Sequence, residues 1–178
     1  LKTTILGSIC GRICPHYKQC MGSCIRGIKG ESVQIGTIEA FISDYGLEHN
    51  LIEKIHKTDE LKGENIAVIG GGPAGLTASY FLAKAGASVT IYEKHNKIGG
   101  ILAHGIPEFR QDPNILEKTI NSILSLGINV KYNQEIFKDI TLEEISKKYD
   151  ATILAVGANV SSKMDIEGEE LEGVYGGN

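Results

Sequence analysis

Two groups of side chains in this 178-residue chain could do chemistry, and their spacing says which. The first is Gly70-Gly71-Gly72-Pro73-Ala74-Gly75, which contains G-x-G-x-x-G and is followed 23 positions after Gly70 by the acidic Glu93. In that pattern the first glycine allows a sharp turn, the second lets backbone approach a pyrophosphate, and the third lets a helix pack closely on a strand. The helix N-terminus supplies oriented N–H groups and partial positive charge to the phosphates. The acid accepts hydrogen bonds from ribose hydroxyls, and it disfavours a 2′-phosphate because like charges would meet.

The second group is the four cysteines, Cys10, Cys14, Cys20 and Cys24, spaced C-x3-C-x5-C-x3-C. Thiolates this dense in a cytoplasmic-looking chain suggest metal or cluster ligation before disulfides. The Cys14-Pro15 step suits iron–sulfur ligation. A four-thiolate zinc site is the rival, and disulfides or free thiols stand behind both. His16 and His95 read as exposed loop residues.

These groups need elements to hold them. Residues 1–30 show no sustained period and read as an irregular segment that buries little. Ile35, Ile38, Phe41, Ile42 and Tyr45 recur at helical spacing, predicting an amphipathic helix over 32–45 ended by Gly46, with a second over 48–57 carrying Leu51, Ile52 and Ile55. The polar stretch from Lys57 to Glu64 marks a boundary, giving domains at 1–62 and 63–178. Beyond it, strands at 65–69, 87–92, 128–132 and 152–156 alternate with helices at 73–85, 112–126 and 141–149. That alternation predicts an α/β unit with a parallel sheet covered on both faces. Thr141-x-x-Glu144 reads as a capping box.

Composition excludes other classes. A formal charge of -4 with 22% charged residues offers no basic field for nucleic acid or anionic lipid. The longest apolar runs are far short of the roughly 20 residues that span a bilayer. The chain starts at Leu1 and shows no charged-then-apolar leader, so a cytoplasmic protein, and a piece of a longer one, is expected. No serine–histidine–acid set or H-E-x-x-H stands out.

Several motifs in order carry a resemblance. Cys-Gly-Arg-Ile-Cys-Pro from Cys10, Cys-Met-Gly-Ser-Cys from Cys20, the stretch from Ile25 to Glu39, the glycine turn, the segment Ile98 to Arg110 and Glu172-Gly-Val-Tyr175 together resemble the glutamate synthase small-subunit family. That family includes related NADPH-dependent reductases and the N-terminal part of dihydropyrimidine dehydrogenase. Ala155-Val156-Gly157-Ala158 resembles its A-T-G-A signature, with valine in place of threonine.

The resemblance implies a Rossmann-like FAD-binding domain preceded by a small α-helical iron–sulfur domain. It implies FAD contacts at Gly70, Gly72, Pro73, Ala74, Gly75, Glu93, Lys94, Gly99, Gly100, Ile101 and Gly157. It also implies [4Fe–4S] ligands at Cys14, Cys20 and Cys24, with Cys10 and Glu39 as further ligands and an earlier cysteine group upstream of Leu1. His104 and Arg110 fall in a loop resembling the family's flavin-side loop. NADPH would bind outside this chain, and electrons would pass through FAD and the clusters to a partner subunit, such as a glutamate synthase large subunit, or a ferredoxin-like acceptor. The 178 residues alone would then oxidise no NADPH. The competing reading is a zinc-stabilised nucleotide-binding or interaction module without redox chemistry.

Overall fold

In Asn65–Ile69 (β1) the four residues after Asn65 are apolar and buried on both faces, which suits the inside of a parallel sheet. The computed structural model of the chain describes residues 3–51 and 56–176. It places β1 beside Ser88–Tyr92 (β2) and Ala151–Leu154 (β4), with Asn129–Lys131 (β3) outside β2. The order is β3-β2-β1-β4 and every pairing is parallel, with Ile66 opposite Val89 on one side and Ala151 on the other. The α/β class expected from the alternation is the one observed.

Numbered in chain order, the helices are α1 (Gly7–Ile13), α2 (Ile35–Glu48), α3 (Pro73–Lys84), α4 (Ile101–His104), α5 (Pro113–Leu124) and α6 (Leu142–Ser146). Pro73 and Pro113 stand in the first turns of α3 and α5, where a missing N–H costs nothing. The Asp112 carboxylate caps α5 by accepting from the Asn114 N–H, and Thr141 with Glu144 forms the expected capping box. On one sheet face Val68 and Ile91 meet Leu76, Tyr80, Leu116, Ile120 and Ile123 of α3 and α5. On the other, Ala67, Ile69 and Tyr92 pack with Ile145 and Tyr149.

The cysteine-bearing segment departs from expectation. It is not merely irregular: Gly7–Ile13 is helical, and Ile5 and Ile9 are buried in the same apolar cluster as the sheet. Three-residue and four-residue 3-10 turns follow at His16–Lys18 and Ile25–Ile28.

Helix α2 differs in its end and its face. It runs through Gly46 and stops where Asn50 adopts φ 51°. The Leu51 N–H then donates to Gly46 O and the Asn50 N–H to Leu47 O, a Schellman closure that satisfies the last carbonyls. The expected second helix lies partly on Ile52 and Ile55, outside the described residues; the described residues 56–58 carry no helix.

The buried face of α2 is Gly36, Ala40, Ser43 and Gly46, whereas Phe41 is 70% exposed and Ile38 50%. Small residues face inward because α1 arrives very close. A Cβ on Gly11 would lie 2.5 Å from Gly36 O and 2.7 Å from Ala40 N, and one on Gly7 would meet Ser43 Oγ at 2.1 Å. Pairs of small residues four apart on each helix share a face, so the backbones can touch.

Arg12 and Asp44 clasp the same helix pair with two hydrogen bonds, the Nη1–Oδ1 contact being 3.1 Å. Burial pushes the Asp44 carboxyl up, but hydrogen bonds from Arg12 and Ser8 and the Arg12 charge outweigh it, and the group titrates below its ordinary value. A carboxylate with a depressed folded pKa contributes stability above its unfolded pKa and loses it as pH falls through the folded one. The half-exposed pair contributes about 1 kcal/mol. Unfolding of the wild type should therefore become easier between about pH 5 and pH 2 by roughly that amount. Asp44→Asn should lack that component, as denaturant titrations at the two pH values would reveal.

Candidate functional site

The glycine turn is assembled by direct contact between two loops. Gly70 leaves β1 with φ 101°, and its N–H donates to Tyr92 O at 2.8 Å. A Cβ there would meet Ala155 O at 2.4 Å, so the end of β4 also needs this glycine. The second glycine pair, Gly99-Gly100, folds over the first: the Gly99 N–H donates to Gly71 O at 2.8 Å, and a Cβ on Gly100 would sit 2.7 Å from Gly72 Cα. Gly72 caps α3, whose first-turn N–H groups at Ala74 and Gly75 have no intrahelical acceptor.

Glu93 is 4% exposed and welds this turn to β2. One carboxylate oxygen accepts from the Gly71 N–H at 2.9 Å and the other from the His95 N–H at 2.9 Å. Each oxygen keeps an acceptor position, so the acid retains capacity for ribose hydroxyls. Of the other expected residues, Pro73 and Gly100 are half-buried, whereas Lys94, Ala74 and Ile101 are exposed around the turn. Gly157 has φ 73° just beyond β4. The cradle is one that side chains would fill, which suits a dinucleotide running over the α3 N-terminus.

The cysteines lie on α1 and the turns after it. Cys10 and Cys14 occupy successive turns at the α1 C-terminus, and the Cys14 N–H donates to Cys10 O. Burial pushes the Cys10 thiol up, with the charges of Cys14 and Glu39 adding to it. The Cys24 sulfur accepts from the Val33 N–H at 3.5 Å, and this bond draws its thiol down toward the thiolate, the form that ligates metal. All four thiols are free.

Among the described residues, no three His, Cys, Asp or Glu side chains converge on one point. The donor chemistry fits thiolate ligation.

His16 corrects an expectation. It is half-buried, its ring lying where a Cβ on Gly36 would be, 2.0 Å from Cε1, and its Nε2 meets Cys10 O at 3.3 Å. His95 is exposed as expected, its ring centroid 4.7 Å from that of His104 with the two planes tilted by 45°. Gly7, Gly11, Gly36 and Ile98 also position the two sites, although no motif marks them for that role. The signal they do carry is the four-residue spacing of small residues and, for Ile98, its place before the glycine pair; a Cβ on Gly71 would meet its Cγ1 at 2.3 Å.

The fold and the two groups define a class: a parallel-sheet dinucleotide-binding unit of Rossmann type with a cysteine-bearing helical segment docked on its core. Residues 1–51 match the dihydropyrimidine dehydrogenase domain II, 4Fe-4S cluster family, and residues 68–117 match an NAD(P)-binding Rossmann-like domain. The chain is a homologue of the glutamate synthase small chains and of dihydropyrimidine dehydrogenase subunits. It is 38% identical to the Bacillus subtilis glutamate synthase [NADPH] small chain over 98% of its own length and 35% of that protein. It is 41% identical to the NADPH-Fe(3+) oxidoreductase subunit beta of Geobacter sulfurreducens, over 93% of this chain and 24% of that one.

Among solved structures, the Mycobacterium tuberculosis oxidoreductase FprA in complex with NADPH aligns with TM-score 0.58 and 25% identity, covering 62% of this chain and 26% of that one. The fold of a 2-naphthoyl-CoA reductase aligns over 93% of this chain and 22% of that one, with TM-score 0.59 and 23% identity. The chain spans 24% to 38% of the length of the curated relatives it matches. Among the described residues no helix is long and apolar enough to cross a membrane.

Proposed function

We propose that the chain is the FAD- and cluster-bearing part of an NADPH-dependent flavin/iron–sulfur oxidoreductase of the glutamate synthase small-subunit kind. The observation that carries this reading is the pair of glycine loops locked over the α3 N-terminus, on the same core as the cysteine-bearing helix. The units at 1–62 and 63–178 divide the work. Gly70, Gly72, Pro73, Ala74, Gly75, Gly99, Gly100, Ile101 and Gly157 shape the bed for FAD; Glu93 accepts from the ribose, and Lys94 lies beside it.

Cys14, Cys20 and Cys24 donate thiolates to [4Fe–4S] clusters, with Cys10 and Glu39 as further donors and the remaining ligands supplied from outside the described set. When bound, FAD would accept a hydride from NADPH, and the clusters would carry single electrons. The protein's own residues orient the cofactors, hold the acid beside the ribose and keep the thiolates in reach. NADPH binds outside this chain, and the acceptor is a partner subunit, such as a glutamate synthase large subunit, or a ferredoxin-like protein. Cytoplasmic location belongs to the same reading.

Anaerobic reconstitution with iron, sulfide and FAD followed by absorbance and metal analysis tests this. The expected result is flavin bands together with the broad absorption of an iron–sulfur centre. Stoichiometric zinc with neither iron nor flavin would overturn it in favour of the zinc-stabilised module. The purified 178 residues are expected to oxidise no NADPH, since no hydride-donor site is assigned within them. A steady loss of NADPH absorbance would contradict that.

A further inference from the structure

We propose that Arg110 is a positioning residue for the Cys14 turn, locking the loop beyond the glycine pair onto the cysteine segment and placing a fixed positive charge beside that ligand. The inference rests on the reading of Cys14 as a cluster ligand. Its Nη2 donates to Ile13 O at 3.3 Å, joining residues 97 apart in sequence. Ile13 is the last residue of α1, where carbonyls lack intrahelical donors, and Cys14 follows as its extended cap. Arginine at such a carbonyl acts as an external cap. Pro15, with no N–H, cannot help to close the turn from within the chain.

Arg110 is itself held. Its N–H and that of Gln111 both donate to Pro107 O, at 2.9 and 3.1 Å, in the tight turn that follows α4. Helix α4 is capped by Gly100, which touches Gly72. A short series of backbone and side-chain contacts therefore connects the candidate dinucleotide bed to the Cys14 peptide. The charges around the joint are unequal. Arg12 is paired with Asp44 and feels Asp112, whereas Arg110 enters no ion pair among the described residues. A guanidinium stays charged at every working pH, so it favours the more negative, reduced form of a metal centre ligated by Cys14.

The test uses the full chain with Arg110→Ala, Arg110→Gln and Arg110→Lys. In the reduced, metal-free protein, iodoacetamide labelling of each cysteine is followed by mass spectrometry. Loss of one exposed charge-assisted hydrogen bond should speed Cys14 labelling roughly two- to fivefold in R110A while Cys24 keeps its rate, with R110K restoring part of the protection. An unchanged Cys14 rate, or equal acceleration of all four cysteines, would overturn the positioning role. In the reconstituted protein the midpoint potential of the centre should fall in R110Q and return toward wild type in R110K; an unchanged potential would overturn the charge effect. Failure of the wild type to take up iron and sulfide would instead overturn the cluster reading, and the labelling arm still decides the role of Arg110.

Discussion

Gly75→Ala is expected to lose FAD binding and to destabilise the chain by at least about 3 kcal/mol, because the new methyl has nowhere to go. Its Cβ would lie 1.9 Å from Gly70 O and 3.3 Å from Val68 Cγ1. The first atom is backbone in the turn that approaches the dinucleotide, so relief requires α3 to move off β1. That shift would disrupt the burial of Leu76 and Tyr80, both 0% exposed, and tilt the helix N-terminus away from the phosphates. Gly63→Ala is the matched comparison: Gly63 has φ 94° but nothing lies within 4 Å of where its methyl would stand, so backbone strain alone should cost about 1 kcal/mol. Urea unfolding and flavin content per chain measure both. Equal midpoints for the two variants would show that close packing at Gly75 does not hold the turn.

Glu93→Ala should be the next most damaging change. The Gly71 N–H, in a buried bond, and the His95 N–H, at the exposed edge of the turn, would lose their acceptor together. An orphaned buried donor costs about 1–3 kcal/mol, and the Gly71 N–H is the one that bears it, so the loss is roughly 1–3 kcal/mol, with the glycine turn as the part that loosens. Glu93→Gln keeps one carbonyl acceptor but turns an NH2 toward the other N–H, and should fall between wild type and alanine. Flavin affinity, read by fluorescence quenching, should fall in the same order. An E93A protein with wild-type unfolding midpoint and flavin affinity would remove Glu93 from both roles.

The βαβ unit is legible from residues because its signals are local. A short apolar run, a glycine spacing dictated by turn, phosphate and packing, and an acid at the next strand end are each read within about 30 residues. The capping box at Thr141 and the glycines closing α3 and α5 are local too, and they stand where expected. The cysteine segment is less legible. Its helix is only seven residues long and carries Gly7 and Gly11, poor helix formers whose value appears only when α2 lies against them.

Helix α2 shows the limit most plainly. Periodicity places Ile35, Ile38, Phe41, Ile42 and Tyr45 on one stripe, and an apolar stripe normally faces a core. Here α1 covers the small-residue face and leaves that stripe largely outside, with the His49 ring stacked on Tyr45 at its end. A helical period says that two faces differ; it does not say which one the rest of the chain will meet.

By itself the sequence determined the α/β class, the glycine turn with its acid, and the clustering of the four cysteines as candidate ligands, since these depend on residue type and short spacing. Only the tertiary structure decided that the four thiols do not close one site among the described residues, that Glu93 is a buried weld, and that Arg110 reaches the Ile13 carbonyl. Those are contacts between segments as many as 97 residues apart, set by how α1 and the glycine loops dock on one core, and no local pattern encodes that docking.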